Sequence, residues 1–240
     1  MKNLALLTQL FNHSQSKMPL FYDNALKYFD KDDIHIIREN QGETIGKDFD
    51  TLLFLFKVNK IKEYIENNLL NKYEYVLYMD GTDTNFIRNP ENLLNEFNEY
   101  DKSIIFGGEL VLYPHTENDY LYENKPKNSQ FIYLNSGVWI GKVEKVIKHM
   151  QQMINNTECI YDDQGRWTYQ YLYNDDIMID QNRKFIFNTY NAADYITLTK
   201  DGVVLKDINP YIIHDNGPQK DNTFKICDFY NGKKSKKTIM

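Results

Sequence analysis

Two places in the sequence set metal-ligating side chains directly after a strand-like apolar run. Tyr75-Val76-Leu77-Tyr78-Met79 ends in Asp80-Gly81-Thr82-Asp83, so two carboxylates three residues apart cross one tight turn and can converge on a hard cation. Tyr211-Ile212-Ile213 delivers His214 into Asp215-Asn216-Gly217-Pro218. Asp80, Asp83 and His214 make a mixed carboxylate and imidazole set that suits Mn²⁺ better than Mg²⁺, and three protein ligands leave about half an octahedron for ligand oxygens. Each piece has a plainer alternative. Aspartates after a strand commonly make Asx turns, and a lone histidine at a strand end is commonly only hydrogen-bonded. The two together weigh more than either.

A third constellation, Tyr161-Asp162-Asp163-Gln164, enters an aromatic-rich helical pattern. Its acidic pair can bind sugar hydroxyls or flank an anomeric carbon, or be no more than helix N-terminal carboxylates favoured by the dipole. Asn135-Ser136-Gly137 interrupts a strand pattern, which signals a bulge or a close backbone approach to a ligand. Aromatic residues make up 15% of the chain, so sugar-stacking rings are available, although most, Trp139 included, are expected in the core.

Charge narrows the chemistry. With 28 Lys+Arg against 34 Asp+Glu the formal charge is -6, which gives no support to a nucleic-acid partner. The chain has neither a Walker A sequence nor GxGxxG, so a diphosphate would need positive charge from elsewhere. A cation on Asp80, Asp83 and His214 supplies it and neutralises the charge developing on a departing nucleoside diphosphate, the logic of a nucleotide-sugar glycosyltransferase. Two competitors share the Asp-Gly-Thr string. Haloacid-dehalogenase-type phosphatases carry a nucleophilic Asp two residues earlier, where this chain has Tyr78. An EF-hand would need ligands at Thr82 and Thr84 and a glycine at Asn85.

To hold these groups the sequence predicts strands at 4–8, 34–37, 75–79 and 103–106, alternating with helices at 21–29, 48–67 and 90–100. Farther on it predicts an interrupted strand at 131–140, helices at 143–154 and 164–173, and short strands at 185–187, 203–205 and 211–213. That alternation defines an α/β fold with a Rossmann-like, mostly parallel central sheet and helices on both faces. Such sheets bind ligands beyond the carboxyl ends of their strands, where the motifs above fall. One unit is expected over residues 1–232, with a nucleotide-sized half to about 108 and a substrate-shaping half after it; 233–240 is a basic tail. Cys159 and Cys227 are too few for a disulfide framework. No transmembrane run is present and the N-terminus reads as a strand, not a signal peptide, so the cytoplasm is the expected compartment.

Taken in order, Tyr78-Met79-Asp80-Gly81-Thr82-Asp83, Phe106-Gly107-Gly108-Glu109 with Tyr113-Pro114, Leu134 to Gly141, Asp162-Asp163-Gln164 and His214 to Pro218 resemble the glycosyltransferase domain of the multifunctional procollagen lysyl hydroxylases. The likeness runs from about Leu4 to Lys220, and the composition, rich in Asn, Lys, Ile and Tyr, is similar to that of an AT-rich genome such as a giant virus. The resemblance implies a GT-A fold and a Mn²⁺-dependent, retaining transfer of glucose from UDP-glucose to galactosyl-hydroxylysine of collagen-like chains. It implies that Asp80, Asp83 and His214 hold the metal and that Asp80, Gly81 and Thr82 run beside ribose and diphosphate. Leu6, Leu7 and Thr8 would contact the uridine, and Gly217, Pro218 and Lys220 would close over the diphosphate. Asp162, Asp163 and Asn216 would face the donor sugar, with Glu109, Tyr113 and Asn135 shaping access. Asp215 stands where the family usually has glycine, which leaves UDP-galactose as the alternative donor. A non-catalytic carbohydrate- or collagen-binding module on the same scaffold is the alternative of another class. At 240 residues the chain has no room for the family's iron-dependent hydroxylase, so lysyl hydroxylation is not expected. A homo-oligomer is compatible with this reading.

Overall fold

The computed structural model describes residues 3–11, 17–39, 49–156, 162–199 and 202–217. Pro218, Lys220, both cysteines and the basic tail lie outside the described residues.

The apolar runs form a six-stranded sheet in the order β2 (Ile34–Glu39), β1 (Leu4–Phe11), β3 (Tyr75–Met79), β6 (Tyr133–Lys142), β5 (Ile104–Glu109), β7 (Ile177–Asp180). All are parallel except β6, which runs antiparallel between β3 and β5. Successive side chains of a strand point to opposite faces, and here both faces are covered. Ala5, Leu7, Val76, Tyr78, Phe106 and Trp139 pack under α2 (Phe49–Asn68), α4 (Val143–Asn155) and α5 (Asp163–Tyr173). Leu4, Leu6, Tyr75, Leu77 and Met79 pack on the other face against α1 (Tyr22–Ala25) and α3 (Leu93–Asn98). The helices contribute residues at helical spacing, such as Val58, Ile61 and Ile65 from α2 and Val146, Met150 and Met153 from α4. Trp139 is buried and stacks on Tyr78 at 5.2 Å, as expected for a core ring.

A second, three-stranded sheet positions the chemistry. Its order is β4 (Thr84–Phe86), β11 (Ile212–His214), β8 (Ile186–Asn188), with β11 antiparallel to β4 and parallel to β8. Because β4 follows the Asp80–Asp83 turn directly, the pairing of His214 with Thr84 carries the histidine back to the aspartates from 130 residues away. A separate antiparallel pair, β9 (Ile196–Thr199) and β10 (Gly202–Leu205), completes the strands.

The expected α/β fold with a mostly parallel sheet is observed, while β4, β7 and β9 were not expected as strands. β4 hides its character behind Thr84 and Asn85, both buried; Asn24 satisfies it by donating to Asn85 Oδ1 at 3.0 Å and to the Phe86 carbonyl at 2.7 Å. The predicted helix at 90–100 is a 3₁₀ turn over Pro90–Asn92 followed by α3, and the one at 21–29 keeps one α-helical turn. Among the described residues no helix is long and apolar enough to cross a membrane.

Candidate active site

At the carboxyl ends of the strands lies a cleft of about 450 Å³, lined by Asp80, Asp83, Glu109, Asn135, Asp162, Asp163, His214 and Asn216 among others. One ligand atom from each of Asp80, Asp83 and His214 lies within 4.8 Å of the others. The His214 Nε2 to Asp83 Oδ1 distance is 3.6 Å.

Local structure points the imidazole at the aspartates. Asn188 donates its amide to the Gly108 carbonyl at 2.9 Å, which turns its Oδ1 toward His214 Nδ1 at 2.8 Å. That oxygen can only accept, so Nδ1 carries a proton and Nε2 is the nitrogen turned to the carboxylates, where a metal would bind. Burial disfavours a charged imidazole, yet Asp83, Asp80 and Glu109 outweigh it and raise the His214 pKa. A cation at Nε2 would therefore compete with a proton.

The break in β6 makes room for this group. Phe106 pairs with Trp139 but Gly107 pairs with Asn135, so Ser136, Gly137 and Val138 bulge from the β5 ladder. Gly137 accepts from the Asp80 amide at 2.8 Å, and a Cβ on it would lie 2.2 Å from His214 Cε1 and 2.8 Å from Asp80 Oδ2. Any side chain there would fill the space between the ligands. The donor set and this cradle fit a divalent cation.

Opposite the triad stand more carboxylates. Asp162 caps α5 by accepting from the Gly165 amide at 2.8 Å, so the plain capping role holds, yet the same residue lines the cleft. Asp163 accepts from Ser136 Oγ at 3.1 Å and from Lys57 Nζ at 2.8 Å. Glu109, the last residue of β5, is 4% exposed and accepts from Gln164 Nε2 and Asn216 Nδ2, each at 2.7 Å. Burial pushes its carboxyl up to about 7 despite these donors. Burial likewise raises Asp80 and Asp162.

Lys57 was not among the expected site residues. It rises from α2 to lie 3.7 Å from Asp80 Oδ1 as well as against Asp163. Burial alone would pull its pKa down, but the two carboxylates hold the ammonium well above the ordinary lysine value. Gln164 and Asn188 were also missed as site residues. The sequence signal for Lys57 was its place one turn before Ile61 and two before Ile65, on the apolar stripe of the helix.

Of the expected residues, Asp80, Asp83, Glu109, Tyr113, Asn135, Asp162, Asp163, His214, Asn216 and Gly217 line one cleft. Leu6 and Leu7 face the two hydrophobic cores, and Thr8 is buried beside Gly81, whose Cβ would lie 3.0 Å from Thr8 Oγ1. Thr8 Oγ1 and both amide atoms of the neighbouring Gln9 are buried with no hydrogen-bond partner among the described residues. Tyr113, on the loop after β5, is 58% exposed at the cleft mouth. Thr82 does not line the cleft. The Asp215 side chain accepts a short hydrogen bond from Thr189 Oγ1 and is also absent from the lining.

This fold and site define a glycosyltransferase of GT-A type. Residues 38–238 match the family described as the PLOD GT domain, and the chain belongs to that family. It is similar to procollagen-lysine,2-oxoglutarate 5-dioxygenase 1 of Gallus gallus, with 24% identity over 177 residues, 68% of this chain and 23% of that protein. The Rattus norvegicus protein of the same name is 24% identical over 180 residues, covering 68% and 24%. The chain thus spans about a quarter of the length of these relatives. A solved glycosyltransferase involved in glycosylation of the major capsid of PBCV-1 shares the fold, with a TM-score of 0.57 and 10% identity over 94% of this chain and 98% of that one.

Proposed function

We propose that the protein transfers glucose from UDP-glucose to galactosyl-hydroxylysine of collagen-like chains, with Mn²⁺ and with retention at the anomeric carbon. The observation that carries this reading is the meeting of Asp80, Asp83 and His214 with Asp162, Asp163, Glu109 and Asn216 in one cleft at the strand ends. The relatives are named for procollagen lysine, which supports a collagen-like acceptor.

When bound to Asp80, Asp83 and His214, a divalent cation supplies Lewis-acid stabilisation of the charge that develops on the departing diphosphate. The protein's own groups do the rest. Asn188 holds His214 in its ligating tautomer, and Lys57 pairs with Asp163 and fixes its carboxylate toward the donor sugar. Asp162 and Asn216 line the same cleft, while Gln164 and Asn216 fix the Glu109 carboxyl through both oxygens. Thr8, buried in β1 beside Gly81, offers its hydroxyl on the uridine side, and Tyr113 stands where the acceptor enters.

The test is UDP release from UDP-glucose, UDP-galactose and their N-acetyl counterparts, with and without a galactosyl-hydroxylysine peptide, in Mn²⁺ or EDTA. Acceptor-stimulated, Mn²⁺-dependent release from UDP-glucose alone is expected. Preference for UDP-galactose would overturn the donor assignment, and no release from any donor by a folded protein would overturn the reading.

A further inference from the structure

From the cleft mouth outward, exposed aromatic rings gather on one face. Of the six large apolar side chains exposed among the described residues, Tyr113, Tyr120 and Tyr173 belong to α5 and the loop beside it. Helix α5 is buried at nine of its eleven residues, and the two that remain partly open, Tyr169 and Tyr173, stand one turn apart with ring centroids 4.6 Å from each other. A solvated helix face ordinarily carries charged or small polar residues; paired tyrosines there leave apolar surface in water.

Two hydrogen bonds align the loop with the helix. Gln164, in the first turn, donates to the Tyr113 carbonyl at 2.8 Å, and Tyr173, the last residue, donates to Asn118 Oδ1 at 3.1 Å. Tyr122 anchors the loop from beneath, with its ring against Tyr133 at 5.2 Å and Tyr171 at 5.8 Å. The exposed rings therefore follow a fixed line from the cleft mouth along α5. Glu117 and Tyr120 lie close enough to act electrostatically on the Tyr173 hydroxyl, which puts a carboxylate among the rings.

We infer that this tyrosine-lined face docks the polypeptide part of the acceptor, an extended, proline-bearing and basic strand whose modified lysine enters the cleft. The inference rests on the transferase reading above. Proline-rich segments in the polyproline II conformation dock on aromatic surfaces with little further loss of entropy, and tyrosine supplies large contact area from a side chain with few torsions. The spacing fits. At ~1.5 Å per helical residue, Tyr169 and Tyr173 lie roughly 9 and 15 Å along the axis from Asp163. A polyproline II strand rising ~3.1 Å per residue would reach them about three and five residues from the modified lysine. Glu117 and a net charge of -6 complement a lysine-bearing chain.

The test compares wild type with Tyr120→Ser and with Tyr120→Ser/Tyr173→Ser. The probes are a proline-rich peptide carrying one galactosyl-hydroxylysine and the free glycosylated amino acid. Affinity is read by fluorescence anisotropy for the labelled peptide and by calorimetry for the amino acid, and turnover is followed alongside. The double variant should bind the peptide roughly tenfold more weakly, with KM for the peptide rising in step. Its affinity for the free amino acid, KM for the donor and kcat should stay at wild-type values. The single variant, which leaves the Tyr173–Asn118 brace intact, should show the same selectivity to a smaller degree. The proposal is overturned if wild type binds peptide no better than the free amino acid, or if the variants bind both probes as wild type does or lose both equally. Tyrosine-dependent peptide binding without turnover would uphold the surface and overturn the transferase reading.

Discussion

Replacing Lys57 by Met should separate metal affinity from turnover. The ammonium sits 2.8 Å from Asp163 and 3.7 Å from Asp80, with 14% of the side chain exposed. Its loss leaves Asp163 buried with Ser136 Oγ still donating, and breaking a buried pair from one side costs about 3 kcal/mol or more. In a chain of this size that lowers Tm by roughly 6–12 °C. The same substitution removes a positive charge beside a metal-ligating carboxylate, so Mn²⁺ affinity should rise by roughly tenfold. Turnover should fall by roughly a hundredfold because Asp163 is no longer fixed toward the donor. Calorimetric Mn²⁺ titration, thermal melts and initial rates read the three quantities on one preparation. A double-mutant cycle with Asp163→Asn isolates the pair: Lys57→Met should cost less than about 1 kcal/mol in that background. Additive stabilities, or a Mn²⁺ affinity that falls with turnover, would refute the assigned role.

Other expected outcomes follow from the same geometry. Gly137→Ala should fold but bind Mn²⁺ at least roughly tenfold more weakly, since its Cβ would stand 2.2 Å from His214 Cε1; calorimetry showing unchanged affinity would contradict the cradle. Asn188→Leu removes the acceptor that holds His214 Nδ1 and should weaken Mn²⁺ by roughly 10–100-fold, with partial recovery in Asn188→Asp. Glu109 titrates near 7 in the fold against an ordinary 4.5, so its neutral form favours folding and that contribution is present below pH 4.5 and lost as pH rises through 7. Glu109→Gln cannot titrate. In EDTA its stability should therefore gain on wild type by about 3 kcal/mol between pH 4.5 and 7 and level off above, and a gap constant with pH in urea melts would contradict the assignment.

What sequence reading reached and what it missed have physical reasons. The Asp80–Asp83 turn was legible because β3 is an uninterrupted apolar run, which leaves no ambiguity about where the strand ends. His214 was legible for the same reason at β11, and the bulge at Asn135-Ser136-Gly137 because small polar residues break an apolar strand. β4 and β7 were not legible: each is a strand of three or four residues, and β4 carries buried polar groups, of which Asn85 is paired with the distant Asn24. Lys57 looked like one of several helix lysines with Lys60 and Lys62. Its buried role depends on Asp80 and Asp163, which only the fold brings to it. The tethering amides of Asn188 and Gln164 have no composition signature at all, because an amide's use is set by the groups that face it.

The central claim is that Asp80, Asp83 and His214 make one cation site on which sugar transfer depends. Its most direct test is the rate of UDP release by wild type and by Asp83→Ala in saturating Mn²⁺, with circular dichroism to establish that both are folded. The account predicts a loss of at least roughly a thousandfold in the variant, down to the rate of wild type in EDTA. A folded Asp83→Ala protein that retains turnover within tenfold of wild type would contradict it.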